Sequence, residues 1–113
     1  MDATPDFATA TIERAKIVDY LLGSSSVASR SKSRFFLSLG FTPDRWEILA
    51  EALRGQARNG TAKTIASRWG TKHVVTGEID APNGRRYKIV SVWIAEEATA
   101  RLVTAYPFEG KDE

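Results

Sequence analysis

The apolar residues follow two different periods in the two halves of the chain. Before Gly60 they recur every three or four residues, which is typical of amphipathic helices. This spacing predicts three helices, over residues 12–22, 29–39 and 43–59. Gly40 is available for a left-handed turn after the second helix, and Thr42 followed by Pro43 is a helix start signal for the third.

After Gly60 apolar and polar residues alternate, which is the period of a β-strand. The alternation predicts three strands, over residues 72–80, 85–95 and 101–106. Pro82 and the pair Asn83-Gly84 predict a tight turn between the first two strands. Residues 61–69 fit either an additional edge strand or an irregular connection. Helices followed by antiparallel strands predict an α+β fold, with N-terminal helices packed on one face of a three- to four-stranded antiparallel sheet.

A chain of 113 residues has room for one hydrophobic core. We expect a flexible lead-in over residues 1–10, a single domain over 11–108 and an acidic tail over 109–113. No apolar run reaches the length that a bilayer crossing requires, and the first ten residues lack the pattern of a signal peptide. The sequence therefore predicts a cytoplasmic protein with no membrane partner.

Several kinds of chemistry are excluded by composition. The chain has no cysteine and one histidine, so disulfides, thiolate zinc sites and histidine-rich metal centres are ruled out. Its glycines do not form a phosphate-binding loop, and no serine lies in a nucleophile elbow. We therefore expect neither a metal nor an organic cofactor.

The net charge of +2 conceals an uneven distribution. Residues 11–108 hold 15 basic and 9 acidic side chains, whereas both termini are acidic. This excess favours a polyanionic partner such as RNA. The alternative is an ordinary solvated surface that happens to be basic.

Basic and hydroxyl side chains are concentrated in the predicted strands. Cleavage of RNA by its own 2′-hydroxyl requires a proton acceptor, a cation beside the phosphorane oxygens and a donor for the leaving oxygen. His73 could transfer protons, Arg101 could hold the phosphate and Lys72 could add charge, while Thr104 and Tyr106 could donate hydrogen bonds. Three further cations of this half are predicted RNA contacts: Arg85, Arg86 and Lys88.

Alternative interpretations of two of these residue types stay open. His73 shares a predicted strand face with Val75 and Ile79, which is more often typical of a packed or partly exposed structural residue. Trp69 lies among basic residues and could stack on bases, whereas Trp93 lies in a run of valine and isoleucine and is predicted to be core.

The arrangement of these residues resembles a small uncharacterised bacterial family of one-domain proteins over about residues 15–107. The segments that carry the resemblance are Lys16-Ile-Val-x-Tyr20-Leu-Leu, Lys32-x-x-x-Phe36-x-x-x-Gly40-Phe41, Gly70-x-Lys72, Gly77-x-Ile79-x-x-Pro82-x-Gly84, Val92-Trp93-Ile94 and Arg101-Leu-Val-Thr104-Ala-Tyr106-Pro107. The last of these also resembles the final strand of ribonuclease domains of the BECR superfold, which includes barnase, EndoU, colicin-type and RelE-type enzymes.

The BECR resemblance implies helices packed on a four-stranded antiparallel sheet whose open face carries the active cleft. It implies a site built from matching positions: Lys72 or His73, then Arg101, Thr104 and Tyr106, with Lys16 as a contributor from a helix. Arg101 and Thr104 are three residues apart and would point to opposite faces of an ideal strand. A bulge, or the end of the strand, is needed to bring both to one site.

Three functions are consistent with these residues. The first is a metal-independent, RNA-cleaving toxin of the BECR type, with a small acidic antitoxin as its protein partner. The second is a non-enzymatic interaction module or inactive nuclease relative, in which Tyr106 is buried and hydrogen-bonded to the backbone. The third is an RNA-binding protein that does not cleave.

Overall fold

Helices precede strands along the chain, as the sequence predicts. The computed structural model describes residues 5–23, 27–68 and 70–109. The helical segments are a 3₁₀ turn at Phe7–Thr9, a π-helix at Lys16–Leu21, α1 at Val27–Ser38, a 3₁₀ turn at Pro43–Arg45 and α2 at Trp46–Asn59. The strands are β1 at Thr61–Ser67, β2 at Gly70–Asp80, β3 at Arg86–Glu96 and β4 at Thr99–Pro107. The α+β fold class is therefore confirmed.

The strands form one antiparallel sheet in the order β1-β2-β3-β4. The sequence fitted residues 61–69 to either an edge strand or an irregular connection, and the structure has the edge strand β1 at Thr61–Ser67. Each strand follows its neighbour directly, so the sheet is a meander whose two edges are β1 and β4. Most residues of β1 are exposed on both faces, because the helices cover only the other three strands.

The hydrophobic core lies between the helices and one face of this sheet. Val75 and Trp93 from the sheet, Leu53 from α2, Ile17 from the π-helix and Phe36 from α1 are all fully buried. Removing these apolar side chains from water is the main force that holds the layers together. The predicted core position of Trp93 is confirmed.

A buried polar network fixes α2 against the sheet. The Gln56 side chain donates from Nε2 to the carbonyl oxygens of Val75 and Ile89, at 3.0 and 3.2 Å. Ser91 donates from Oγ to Gln56 Oε1, and Trp93 Nε1 donates to Ser91 Oγ at 2.8 Å. Because every buried side-chain polar atom in the described residues has a partner, these hydrogen bonds offset the cost of removing the polar groups from water.

The described part of the N-terminal segment is packed, which differs from the loose lead-in expected from the sequence. Phe7 is 3% exposed, and its ring centroid lies 5.3 Å from that of Trp93. Thr11 pairs in parallel with Arg101, donating its backbone N–H to the Ala100 carbonyl at 2.8 Å. The segment therefore covers the outer edge of β4 near Arg101.

The helix ends follow the predicted signals only in part. Gly40 has a φ of 102°, so the left-handed turn after α1 is confirmed. Thr42 is extended and precedes Pro43, but its side chain makes no capping hydrogen bond. No helix within the described ranges is long and apolar enough to cross a membrane.

Candidate functional site

A bulge in β4 places three predicted site residues on one face of the sheet. Tyr106 pairs with Val90 and Thr104 with Val92, but Arg101 pairs with Ile94, because the register shifts between Val92 and Trp93. Directly paired residues point to the same side of a sheet. Arg101, Thr104 and Tyr106 therefore share the face that the helices leave open.

Lys72 lies on the same open face. It pairs with Ile94, which is also the partner of Arg101, so the three residues form one row across the sheet. Lys72 is two strands from Arg101 and is half-buried. Four of the five predicted catalytic residues thus share a face.

His73 lies on the opposite, helix-covered face. It pairs with Trp93, is 4% exposed, and its ring lies edge-on to that of Phe7 at 6.1 Å. Its Nδ1 is 3.3 Å from Thr64 Oγ1. Burial lowers the pKa of His73, which favours the neutral imidazole. The sheet therefore separates His73 from the other candidates, and the structural interpretation of this residue matches its surroundings.

Arg101 is held by two carboxylates. Its Nε lies 2.7 Å from Glu96 Oε2, and its Nη1 lies 3.1 Å from Glu13 Oε2. The Glu96 hydrogen bond and charge raise the pKa of Arg101 further. These pairs connect the segment before the π-helix to the β3–β4 hairpin, so a phosphate would have to displace carboxylates to reach this guanidinium.

A second group of polar side chains meets at the phenol of Tyr20, on the π-helix. Lys32 Nζ donates to Tyr20 Oη at 3.1 Å, and Thr104 Oγ1 donates to it at 3.3 Å. Lys16 and Lys32 also place their ammonium groups 5.2 and 5.3 Å from the Tyr20 ring centroid. We call Lys16, Tyr20, Lys32 and Thr104 the Tyr20 cluster.

The electrostatics of the Tyr20 cluster lower the pKa of Tyr20, which stabilises its phenolate relative to that of a free tyrosine. The hydrogen bond from Thr104 is the largest cause of a lowered Tyr20 pKa, and the hydrogen bond and charge of Lys32 add to it. Lys16 contributes a smaller effect of the same sign, while partial burial opposes the shift. A phenol with a lowered pKa can exchange a proton with a nearby hydroxyl more readily than a free tyrosine can.

Two members of the cluster, Tyr20 and Lys32, were not predicted as functional residues. Both occur in the sequence segments that resemble the bacterial family, and Tyr20 follows Lys16 by four residues. That signal could have raised them as candidates. Their contact with Thr104, which is 84 residues beyond Tyr20, depends on the folded chain.

Two of the three predicted RNA contacts at the β2–β3 hairpin, Arg86 and Lys88, have local side-chain partners. Arg86 Nε lies 2.7 Å from Asp80 Oδ1 in an exposed ion pair. Lys88 Nζ lies 4.5 Å from the centre of the Phe108 ring, and Arg85 is exposed. Trp69, the predicted stacking platform, lies outside the described residues.

Beside the Tyr20 cluster is an open cavity of about 400 Å³. It is lined by Ser31, Lys32, Tyr106, Pro107 and Glu109. Lys32 belongs to both the cavity and the cluster, and Tyr106 is 38% exposed. The cluster therefore borders a hollow that water and small solutes can enter.

The fold is similar to that of a chain from the contact-dependent growth inhibition toxin–immunity protein complex of Klebsiella pneumoniae 342. The two structures share a TM-score of 0.72 and 19% sequence identity, over 93% of this chain and 98% of that chain. At this identity the similarity establishes a common fold. Comparison with curated proteins gives no significant match. The family model described as a domain of unknown function, DUF6883, matches residues 3–109, and the chain therefore belongs to the DUF6883 family.

Proposed function

We propose that this protein is a toxin-like, metal-independent ribonuclease of the BECR type, with the Tyr20 cluster at its reacting centre. The observation that supports this proposal most directly is that two ammonium groups and a threonine hydroxyl meet at the phenol of Tyr20, at the edge of the open sheet face. The fold shared with a chain of a growth-inhibition toxin–immunity protein complex supports a toxin-like role.

In the proposed reaction Tyr20 acts as the general base. Its phenolate accepts the proton of an RNA 2′-hydroxyl, and the 2′-oxygen forms a bond to the adjacent phosphorus. The bond from phosphorus to the 5′-oxygen then breaks, leaving a 2′,3′-cyclic phosphate. The hydroxyl of Tyr106, on the same face as Thr104, donates the proton that the 5′-oxygen takes up.

Lys16 and Lys32 supply the positive charge that the transition state requires. Charge accumulates on the nonbridging phosphoryl oxygens as the 2′-oxygen attacks, and fixed ammonium groups stabilise it without reorganisation. Lys72, on the same face, is a proposed contact for a neighbouring phosphate. We assign Arg101 a structural role, since its guanidinium is paired with Glu13 and Glu96. The predicted RNA contacts Arg85, Arg86 and Lys88 stay predictions.

The substitution Tyr20→Phe tests the proposal. It removes the proton acceptor and keeps the ring, so we expect cleavage of RNA to fall by about 100-fold or more. Cells expressing the variant should grow where cells expressing the native chain stop growing and lose intact RNA. Tyr87→Phe is the matched control, because Tyr87 Oη accepts a hydrogen bond from Asn83 at the hairpin, away from the cluster. Both variants should keep a similar melting temperature.

A Tyr20→Phe variant as toxic as the native chain would contradict the assignment of Tyr20. Harmless expression of the native chain, with intact RNA, would contradict the function itself. That second result would favour the non-enzymatic interaction module, which is consistent with the ion-paired Arg101 and the buried His73. The same alternative predicts a buried Tyr106, however, whereas this side chain is 38% exposed. Salt-sensitive RNA binding without cleavage would favour the third function.

A protein partner follows from the proposed chemistry. A cell that makes such a ribonuclease needs an inhibitor, and the cations of the Tyr20 cluster are suited to carboxylates. We therefore propose a small acidic antitoxin as that inhibitor.

A further inference from the structure

The cavity beside the Tyr20 cluster is large enough to hold part of a substrate. Its volume of about 400 Å³ lies within the range that small-molecule sites occupy. Lys32 lines it and also donates to Tyr20 Oη at 3.1 Å. A nucleotide whose phosphate lies at the cluster can therefore extend its base into this hollow.

The walls of the cavity suit an aromatic heterocycle. Tyr106 presents an accessible ring, and Pro107 adds a second apolar surface. Bases of single-stranded RNA stack on aromatic side chains in this way, since every base has a π-face. Stacking alone does not distinguish one base from another.

The polar groups of the cavity supply a means of discrimination. The Glu109 carboxylate only accepts hydrogen bonds, whereas the Lys32 ammonium only donates them. Guanine offers two adjacent N–H donors on its Watson–Crick edge, beside the O6 acceptor. Adenine offers one amino group beside the acceptor nitrogen N1, which a carboxylate would repel.

We propose that this cavity is a nucleobase subsite that selects guanine over adenine in the nucleotide whose 2′-hydroxyl attacks. The proposal rests on the proposed ribonuclease function and assigns that site a substrate preference. Glu109 accepts from guanine N1–H and N2–H, Lys32 or Ser31 donates to O6, and Tyr106 stacks on the ring.

Binding of guanosine 3′-monophosphate tests the subsite without requiring cleavage. The ligand is titrated into the full chain, with adenosine 3′-monophosphate as the comparison, while backbone amide resonances are followed. We expect the guanosine nucleotide to bind about tenfold more tightly, since a good bidentate contact discriminates by that order. The shifted amides should include those of Ser31, Tyr106 and Glu109.

Two variants make the test specific. Glu109→Gln replaces a carboxylate with two accepting oxygens by an amide with one accepting oxygen and one donating nitrogen. The preference for the guanosine nucleotide should therefore disappear, and the adenosine nucleotide should bind as well or better. Glu78→Gln is the matched control, because Glu78 lines a different cavity, of about 420 Å³, and should leave the preference unchanged. Tyr106→Ala should weaken the binding of both nucleotides by a similar factor, because it removes the ring on which either base would stack.

The outcomes separate the subsite from the function. Equal binding of the two nucleotides, shifts confined to other regions, or an unchanged preference in Glu109→Gln would overturn the subsite, even if Tyr20-dependent cleavage is observed. Glu109-dependent guanosine binding in a chain that never cleaves RNA would support the subsite and contradict the ribonuclease function.

Discussion

Cations lie in different electrostatic surroundings beside the two ends of β4. At one end Arg101 is paired with Glu13 and Glu96. At the other end the ammonium groups of Lys16 and Lys32 lie 5.2 and 5.3 Å from the centre of the Tyr20 ring. A cation neutralised by carboxylates connects elements of the fold, whereas two cations gathered around a phenol can attract an anionic substrate.

This difference matters because both ends face the same side of the sheet. The bulge in β4 puts Arg101 on the same face of the sheet as Thr104 and Tyr106. By position alone, all three are therefore candidates for contact with a substrate on that face. The side-chain contacts of these residues, and not their strand register, distinguish a residue that joins elements of the fold from one at the reacting centre. Each prediction below changes the charge or the hydrogen bonding at one of the two ends.

Placing a carboxylate at the cationic end should have the largest effect. Lys32→Glu removes the donor at 3.1 Å from Tyr20 Oη and adds a negative charge that repels the phosphate. We expect kcat/KM for RNA cleavage to fall by about 100-fold or more, since an electrostatic contact to the transition state is lost and a repulsion gained. Cleavage of a fluorescent oligoribonucleotide measures this.

Arg34→Glu controls for the change in net charge. Arg34 is exposed on the same helix, two residues from Lys32 and therefore on a different side of it. This control should retain most of the activity, and both variants should unfold at similar temperatures. Equal losses in the two variants would mean that overall charge, and not the Tyr20 cluster, drives RNA cleavage.

Removing the Thr104 hydroxyl should have a smaller effect that depends on pH. The Thr104 hydrogen bond lowers the Tyr20 pKa, so Thr104→Val should raise this pKa toward its ordinary value of 10.0. If Tyr20 is the base, kcat/KM rises with pH until the phenol is ionised, and the variant's rising limb moves to higher pH. At neutral pH each unit of the shift costs about tenfold in the active phenolate fraction.

Thr76 of β2, which lies on the same face of the sheet as Thr104, provides the control for this pH profile. Thr76→Val should leave the rising limb of kcat/KM where the native chain has it, because Thr76 pairs with Val90 and is not a partner of Tyr20. A profile that is unchanged in Thr104→Val would show that Tyr20 is not the titrating base.

The periodicity of the sequence was sufficient to predict the layers of the fold. Alternation placed Val75 and Ile79 on one strand face, and both are buried; Trp93, predicted to be core from its apolar neighbours, is buried as well. These predictions succeed because burial of an apolar face is set locally, residue by residue. The same alternation accounts for His73, which lies on the buried face of β2 with Val75 and Ile79 and is therefore a packed residue and not an accessible proton acceptor.

The candidate site was predictable only in part, because it depends on contacts between distant segments. Thr104, Tyr106 and Lys16 were predicted, but the meeting of Tyr20 with Lys32 and Thr104 requires the π-helix and α1 to lie beside β4. A one-residue bulge reverses the face of Arg101 and leaves no distinct signal in the sequence. The carboxylates that neutralise Arg101 come from Glu96 across a hairpin and Glu13 near the N-terminus.

Removing the balanced cation should affect stability more than catalysis, with the smallest loss of activity of the three changes. Arg101→Ala leaves Glu13 and Glu96 without their common partner and detaches the segment before the π-helix from the hairpin. We expect a lower melting temperature, and a kcat/KM close to the native value at temperatures where the variant is folded. Arg86→Ala is the control, because its ion pair with Asp80 is 70% and 79% exposed and should contribute little to stability. A large loss of kcat/KM at an unchanged melting temperature would show that Arg101 contacts the phosphate, and the distinction between the two ends of β4 would then be wrong.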